Sequence, residues 1–319
     1  MLTRLTASLN LPVIGSPMFI VSGPELVIAQ CQAGILGAFP ALNARPADVL
    51  REWLQQITQT LADYDAQHPE QPSAPFAVNQ IVHPTNDRLE HDVALCAEFK
   101  VPLVITSLHA PNQVVEKVHA YGGLVFHDVT TLRHAKKAID AGVDGLILVC
   151  HGAGGHAGRL NPFAFVAEVR RFYDGPLVLA GAISKGEQIV AAQALGVDLV
   201  YMGTRFIATQ EANAQAAYKL MVLDAAAGDI VYTNLFTGVH GNYLRQSIEQ
   251  AGLDPDALPE GDKTAMRYGS GGSSKAKAWR DIWGAGQGVG AIASMHSVAE
   301  EVATLRQDYQ KALDHLRRL

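Results

Sequence analysis

Short apolar runs alternate along this chain with stretches in which apolar residues recur at every third or fourth position. Uninterrupted apolar runs are typical of parallel strands buried on both faces, and the other spacing is typical of helices packed against them. The alternation predicts eight strands, at 12–19, 35–39, 76–81, 101–107, 123–127, 143–149, 176–180 and 198–202. Helices are predicted between and after them, at 23–34, 45–68, 86–99, 111–121, 131–141, 162–172 and 185–195, with an eighth that begins near Asn213.

The number of these units decides the expected fold class. Eight strand–helix units within about 210 residues favour an α/β fold of the (β/α)8 type, a TIM barrel, over an open doubly wound sheet, which remains the alternative. The alternation stops at 228–283, which reads as neither clear strands nor one long helix. We therefore expect a barrel made of 1–227 and 284–319, with an inserted capping and substrate-binding region at 228–283 before the C-terminal helix.

One part of the expected cap is rich in glycine and serine. The segment 269–274 is either a flexible linker or a lid over the site, and the sequence leaves both interpretations open.

Charge and cysteine content narrow the class of function. The formal net charge of −6 provides no basic surface for nucleic acid or anionic membranes, and no apolar run is long enough to span a bilayer. Three widely spaced cysteines without a Cys-x-x-Cys pair argue against a disulfide framework. We expect a cytoplasmic protein that acts on a small molecule. The sequence does not predict its oligomeric state.

The most informative stretch for chemistry is 150–158, a glycine-rich loop between the sixth strand and a helix that Asn161 and Pro162 should start. It carries His156, and imidazole is the side chain whose ordinary pKa suits proton transfer near neutrality. Glycines let the backbone approach a flat ligand closely. The alternative is a flexible turn with a surface histidine.

Small residues follow the seventh and eighth strands, where (β/α)8 barrels frequently bind phosphate. They are Ala180, Gly181, Ala182, Gly203 and Thr204, of which the threonine adds a hydroxyl donor. Small residues also occur at strand ends for packing reasons alone. Taken together, the two sets predict a phosphate site at the carboxyl end of the barrel.

Other candidates for chemistry are weaker. His151 and His156 lack further ligands at metal spacing, so a metal site is not expected. Cys150 ends a buried strand, which disfavours a nucleophilic role. His127 stands at a strand end and is expected to face the site. No Gly-x-Gly-x-x-Gly follows an early strand, so a Rossmann nicotinamide domain is not indicated.

Six segments together resemble the nitronate monooxygenase family, formerly called 2-nitropropane dioxygenases. They are Ser-Pro-Met at 16–18, Ala-Val-Asn at 77–79, Ala-Gly-Gly-His-Ala-Gly at 153–158, Leu-Ala-Gly-Ala-Ile at 179–183, Val-Tyr-Met-Gly-Thr-Arg-Phe at 200–206 and Gly-Ala-Gly-Gln-Gly-Val-Gly at 284–290. The resemblance implies an FMN-dependent (β/α)8 flavoprotein, a monooxygenase that oxidises alkyl nitronates with dioxygen.

The resemblance also implies roles for individual residues. Met18 and Asn79 would contact the isoalloxazine ring, Gly154 and Gly155 would lie against the flavin, and His156 would be the catalytic histidine. The FMN phosphate would be held by the small residues after the seventh and eighth strands, which are Ala180, Gly181, Ala182, Gly203 and Thr204. Gln287 would either approach the cofactor or form part of a structural turn.

Two positions depart from the family's pattern. Ala182 stands where relatives often have a second glycine, and Asp128 stands where some relatives have a lysine. A carboxylate beside the flavin would disfavour an anionic substrate. Two other functions therefore stay open: an FMN-dependent NAD(P)H reductase of a quinone or an enoyl-acyl-carrier-protein, and a non-redox barrel that binds a phosphometabolite.

Overall fold

The computed structural model describes residues 2–262, 268 and 282–319, and it contains one eight-stranded parallel sheet and one smaller antiparallel sheet within those residues. The strands are β1 (Val13–Gly15), β2 (Gly37–Pro40), β3 (Phe76–Val82), β4 (Leu103–Leu108), β5 (Leu124–Val129), β6 (Gly145–Val149), β7 (Gly155–His156), β8 (Leu177–Ala180), β9 (Leu199–Met202), β10 (Ile230–Thr233) and β11 (Gly241–Leu244).

The parallel sheet forms a nearly closed barrel. Its strand order is β1-β9-β8-β6-β5-β4-β3-β2, and a bridge between Ile14 and Leu36 brings the first and last strands side by side. Because β1 pairs with β9 on its other side, each barrel strand has a neighbour on both edges. The predicted TIM barrel is confirmed.

Twelve α-helices are described, most of which follow a barrel strand and pack on the outside of the barrel. They are α1 (Leu2–Thr6), α2 (Pro24–Gln32), α3 (Val49–Gln67), α4 (Leu89–Glu98), α5 (Asn112–Ala120), α6 (Leu132–Asp140), α7 (Pro162–Arg170), α8 (Gly186–Ala194), α9 (Thr204–Ile207), α10 (Ala216–Asp224), α11 (Arg245–Gln250) and α12 (Val298–Leu316). Asn161 caps α7 as predicted, with its side chain accepting a hydrogen bond from the Phe163 amide. No described helix is both long enough and apolar enough to cross a membrane.

Alternation along each barrel strand separates two apolar cores. Residues that point inward fill the barrel itself, and Leu5 of α1 joins this inner core. Residues between them pack outward against the helices, as Val104 and Val125 do. The inner core consists of Leu5, Ile14, Leu36, Ala38, Ala77, Leu103, Ile105, Phe126, Ile147, Val178, Ala180, Leu199 and Tyr201.

The region 228–283 differs from its prediction. Its described part contains β10, β11 and α11, so the expectation that it held no clear strands is wrong. β10 and β11 are antiparallel, and β11 also pairs with β7 from the glycine-rich loop. Four-residue strands with a partner far away in the sequence leave little periodic signal. The Gly/Ser segment 269–274 lies outside the described residues.

Candidate active site

A cavity of about 1170 Å³ opens at the carboxyl ends of the barrel strands. Its walls include ten residues that the sequence predicted for the site, brought together from five separate segments. Those residues are Met18, Asn79, Gly154, Gly155, His156, Ala180, Gly181, Ala182, Gly203 and Thr204. Parallel strands direct all their carboxyl ends to one side of the barrel, which is why residues so distant in sequence meet here.

The glycine-rich loop is fixed rather than free. In the small antiparallel sheet, Gly155 pairs with Asn242 and His156 pairs with Gly241. The Asn242 side chain also donates a hydrogen bond to the carbonyl oxygen of Ala153, at 2.6 Å. Gly155 itself has a φ of +65°, a conformation that glycine adopts at little cost. The loop therefore holds His156 in a defined place in the cavity wall.

Thr237 orients the ring of His156. Its hydroxyl lies 3.0 Å from His156 Nε2 and donates to the carbonyl oxygen of Val239 at 2.8 Å. With its proton directed to Val239, the hydroxyl accepts from Nε2, which corresponds to the neutral tautomer with the lone pair on Nδ1. Burial lowers the pKa of His156 to about 4. The imidazole is neutral at pH 7.

The backbone after β8 turns sharply beside the cavity. Gly181 and Ala182 have φ values of +137° and +55°. The second value is one that residues with a side chain rarely adopt. After β9, Thr204 Oγ1 accepts a hydrogen bond from the Gly286 amide at 2.8 Å. Its hydroxyl proton is then available to an anion in the cavity.

A family comparison agrees with this arrangement. A family model described as nitronate monooxygenase matches residues 3–308. This chain belongs to the nitronate monooxygenase family. A nitronate monooxygenase of Paraburkholderia phytofirmans is 27% identical over 354 aligned positions, which cover 96% of this chain and 94% of that protein.

Other relatives of this chain have different names. A (3aS,4S,5R,7aS)-5-hydroxy-7a-methyl-1-oxo-octahydro-1H-indene-4-carboxyl-CoA dehydrogenase of Rhodococcus jostii is 28% identical, over 76% of this chain and 65% of that protein. The solved structure of a nitroalkane oxidase from Streptomyces ansochromogenes has 25% identity and a TM-score of 0.80, over 98% of this chain and 99% of that one. FabK from Thermotoga maritima has 25% identity and a TM-score of 0.76, over 99% and 97%. The protein is an oxidoreductase.

A chain of polar side chains forms the floor of the cavity in this family member. Asn79 Nδ2 donates to Ser107 Oγ at 2.9 Å, and Ser107 Oγ donates to Asp128 Oδ2 at 2.7 Å. The other oxygen of Asp128, Oδ1, is buried and has no hydrogen-bond partner among the described residues. Burial raises the pKa of Asp128 to about 7. Asp128 is therefore not the ordinary solvated carboxylate that its position in the sequence suggests.

Three other sequence candidates lie outside the cavity wall. His127 is 3% exposed and bonds to Thr106 Oγ1 at 2.8 Å, so the expectation that it faces the site is wrong. Alternation along β5 points His127 outward and its neighbour Asp128 inward. The Gln287 amide donates to the Gly152 carbonyl in a 3₁₀ turn, which supports the structural interpretation of that residue. Burial raises the pKa of the Cys150 thiol to about 12, which disfavours a nucleophilic thiolate.

Sequence reasoning assigned no role to two of the residues that shape the site. Ser107 stands at the end of the predicted fourth strand, where barrel active sites form, and alternation from the inward-facing Ile105 points it into the cavity. Thr237 belongs to the cap, 81 residues after His156, and nothing in its local sequence links it to that histidine.

Proposed function

We propose that this protein is an FMN-dependent oxidoreductase that oxidises alkyl nitronates with dioxygen. The observation that carries the proposal is the placement of His156, neutral and hydrogen-bonded to Thr237, in the same cavity as the small residues after β8 and β9. A base and an anion-binding backbone on one cavity wall suit a phosphorylated cofactor and a substrate that loses a proton.

The walls of the cavity fit the parts of FMN. The backbone at 180–182, with Gly203 and the free proton of Thr204, would hold the phosphate. Gly155 leaves room for a flat ring system, whereas the missing side chain of Gly154 lets the loop pack against the backbone of Ala285 and Gly286. Met18 and Asn79 would contact the ring from other segments. When bound, FMN supplies the electron-transfer chemistry.

In this proposal His156 is the general base. With its Nε2 proton donated to Thr237, Nδ1 is the atom that would accept the α-proton of a neutral nitroalkane and so form the nitronate in the cavity. The low pKa of His156 keeps this nitrogen unprotonated across the neutral range. Thr237 orients the ring and is a positioning residue, since it acts through His156.

The test begins with an absorption spectrum of the purified protein, in which we expect the bands of bound flavin. The His156→Asn variant should keep those bands and lose about two to four orders of magnitude in the rate with the parent nitroalkane, whose α-proton must be removed, since this is the usual contribution of one general base. The preformed nitronate has already lost that proton, so its oxidation should depend far less on the histidine. Oxygen consumption with each of the two compounds measures both rates. A protein that binds no flavin, or a variant with full activity at every pH, would contradict the proposal.

A second candidate function is an NAD(P)H-dependent reductase that uses the same FMN site. Asp128 favours it, because a carboxyl group beneath the cofactor disfavours an anionic substrate once it ionises. The dehydrogenase named above is a relative with a CoA-linked substrate. Anaerobic mixing separates the two functions, since bleaching of the flavin by NADH but not by a nitronate indicates the reductase. Bound FMN with no turnover of either substrate class would indicate a non-redox barrel that binds a phosphometabolite.

We further propose that 228–283 acts as a cap on a barrel formed by 1–227 and 284–319. Support comes from the described cap residues Phe236, Thr237 and Val239, which line the cavity together with barrel residues. The antiparallel sheet joins this region to the barrel through β7. The cap would thus contribute both the partner of His156 and part of the substrate-binding surface.

A further inference from the structure

The loop between β1 and α2 presents two large apolar side chains to solvent. Phe19 is 40% exposed and Ile20 is 39% exposed, and both line the mouth of the cavity. Ile20 has a φ of +66°, which is unfavourable for a β-branched residue. Neither the exposed side chain of Ile20 nor its strained φ stabilises the fold, so this conformation requires another explanation.

Hydrogen bonds hold Ile20 in this conformation from two directions. The Asn43 side chain accepts from the Ile20 amide at 3.0 Å, and the Asn213 side chain donates to the Ile20 carbonyl at 3.0 Å. Asn43 also donates to the carbonyl oxygens of Met18 and Ser22, at 3.0 and 2.8 Å. These hydrogen bonds hold the loop in a conformation that leaves its apolar side chains exposed.

The same combination occurs at the end of β4. Leu108 is 38% exposed, lines the cavity and has a φ of +81°. Among the described residues, four that are not glycine have a positive φ, and three of them, Ile20, Leu108 and Ala182, line this cavity. Strained backbone conformations concentrate at functional sites because the surrounding structure must maintain them. Two independent loops thus present strained apolar side chains to one cavity.

The size and polarity of the cavity indicate what these side chains contact. Its volume of about 1170 Å³ exceeds the ~300–1,000 Å³ usual for a site that holds one ligand, which leaves room for a substrate beside the proposed cofactor. The polar residues Asn79, Ser107 and Asp128 lie at the barrel ends, whereas the exposed part of the cavity wall combines the apolar Phe19, Ile20 and Leu108 with the basic Arg45, Arg133 and Arg159. The Arg45 guanidinium lies 5.9 Å from the centre of the Phe19 ring, so Ile20 and Leu108 offer the apolar surface that carries no described charged neighbour over it. A ligand that uses both regions would have a polar reacting end and an apolar remainder.

We propose that Phe19, Ile20 and Leu108 form a subsite for the hydrocarbon portion of the substrate. The substrate class is then a molecule with an extended alkyl chain or alicyclic skeleton, larger than a short nitroalkane, whose reacting group lies beside His156. This subsite rests on the proposed function for the position of the reacting group, but its affinity for hydrocarbon does not depend on turnover.

The test measures the binding of unreactive 1-alkanols to the protein as purified, by isothermal titration calorimetry from 1-butanol to 1-octanol. Full burial of each added methylene should tighten binding about fourfold. Ile20→Asn and Leu108→Asn remove the apolar side chains with a residue that tolerates positive φ, so the backbone is retained. We expect each variant to weaken 1-octanol binding about tenfold or more and to leave 1-butanol binding nearly unchanged.

Leu220→Asn is the matched control, because Leu220 is 55% exposed and does not line the cavity. It should bind all the alcohols as the wild type does, and circular dichroism should show all three variants folded. An unchanged dependence on chain length in both Ile20→Asn and Leu108→Asn would overturn the subsite.

Activity on two nitronates, from nitroethane and from 1-nitrooctane, separates this subsite from the proposed function. Lower kcat/KM for the longer substrate in the two variants, with the shorter one unaffected, supports both. If alcohol binding depends on chain length but no nitronate is turned over, the proposed reaction is contradicted and the subsite is supported. If both nitronates are turned over and kcat/KM does not depend on chain length, the subsite is contradicted and the reaction is supported.

Discussion

The carboxyl group of Asp128 is buried, and one of its two oxygens accepts a hydrogen bond. Its Oδ2 atom accepts from Ser107, while Oδ1 is buried without a described partner. Desolvation favours the neutral acid, and the hydrogen bond from Ser107 opposes it only in part. Below pH 7 the floor of the cavity is therefore uncharged at this position, and an anionic substrate meets less repulsion than the sequence suggests.

A prediction about stability follows from that raised pKa of about 7. Between about pH 4, where an unfolded aspartate ionises, and pH 7, the folded protein retains a proton that the unfolded chain has lost. The free energy of unfolding therefore falls as the pH rises through this window. We expect Asp128→Asn to gain stability relative to the wild type between pH 4.5 and pH 8, by up to about 3 kcal/mol.

Urea unfolding of both proteins at the two pH values measures this difference. The buried histidines His127 and His156, whose pKa values are lowered to about 4, have the opposite pH dependence. They are present in both proteins, so their contribution cancels in the comparison. A difference in stability that stays constant from pH 4.5 to pH 8 would show that Asp128 ionises normally in the folded state.

At the scale of elements, Arg205 joins the loops beside the cavity to α12. Its guanidinium pairs with the buried carboxylate of Glu301 in that helix. It also donates to the carbonyl oxygens of Ser184, after β8, and Ala291, in the 3₁₀ turn, at 3.1 and 2.9 Å. One cation thus fixes three segments relative to one another at the predicted phosphate site.

Loss of the Glu301 charge should consequently destabilise the protein. We expect Glu301→Gln to lower the free energy of unfolding by about 3–5 kcal/mol, because it leaves a buried guanidinium without its counter-charge. The measurement is urea unfolding at pH 7. Glu300→Gln is the matched control, since Glu300 is exposed and glutamine also serves in its capping box with Ser297. Equal losses in the two variants would contradict the role assigned to the Arg205–Glu301 pair.

The hydrophobic pattern predicted which strands and helices exist, but it predicted their ends less accurately. The first strand was predicted at 12–19, but β1 spans Val13–Gly15. The apolar residues that follow it, Pro17 to Phe19, line the cavity instead of continuing the strand. An apolar cavity wall and a buried strand have the same sequence pattern, so hydrophobicity could not separate them.

Elements that form through distant partners were missed for a different reason. β11 pairs with β7, whose two residues belong to a loop that reads as a turn. Glycine content and the order of motifs located His156, but its bond to Thr237 depends on a cap that closes 81 residues later. The burial behind the pKa of Asp128 likewise depends on the inward alternation of several barrel strands at once.

At the scale of the whole molecule, the cavity joins segments from most of the chain. Residues from the β1 loop, β3, the glycine-rich loop, the β8 and β9 loops and the segment 284–290 all line it. The inner core beneath it is closed at the other end by Leu5 of α1. A ligand in this cavity would therefore contact several of these segments at once.

Such a ligand should stabilise the folded state by mass action. At a free concentration of one hundred times its Kd, FMN should raise the free energy of unfolding of the flavin-free protein by about 2.7 kcal/mol. Riboflavin has the same ring system without the phosphate, so it should stabilise less at equal concentration if the phosphate is bound as proposed. Thermal melting across a range of flavin concentrations measures both effects.

The difference between the two flavins should depend on the Thr204 hydroxyl, whose proton faces no described acceptor while its oxygen bonds to the Gly286 amide. We expect Thr204→Val to reduce the advantage of FMN over riboflavin, and Thr204→Ser to keep it because serine retains the hydroxyl. Thr304→Val is the matched control on the exposed face of α12. Equal stabilisation of the wild type by FMN and riboflavin would contradict the phosphate site and, with it, the choice of FMN over an unphosphorylated flavin.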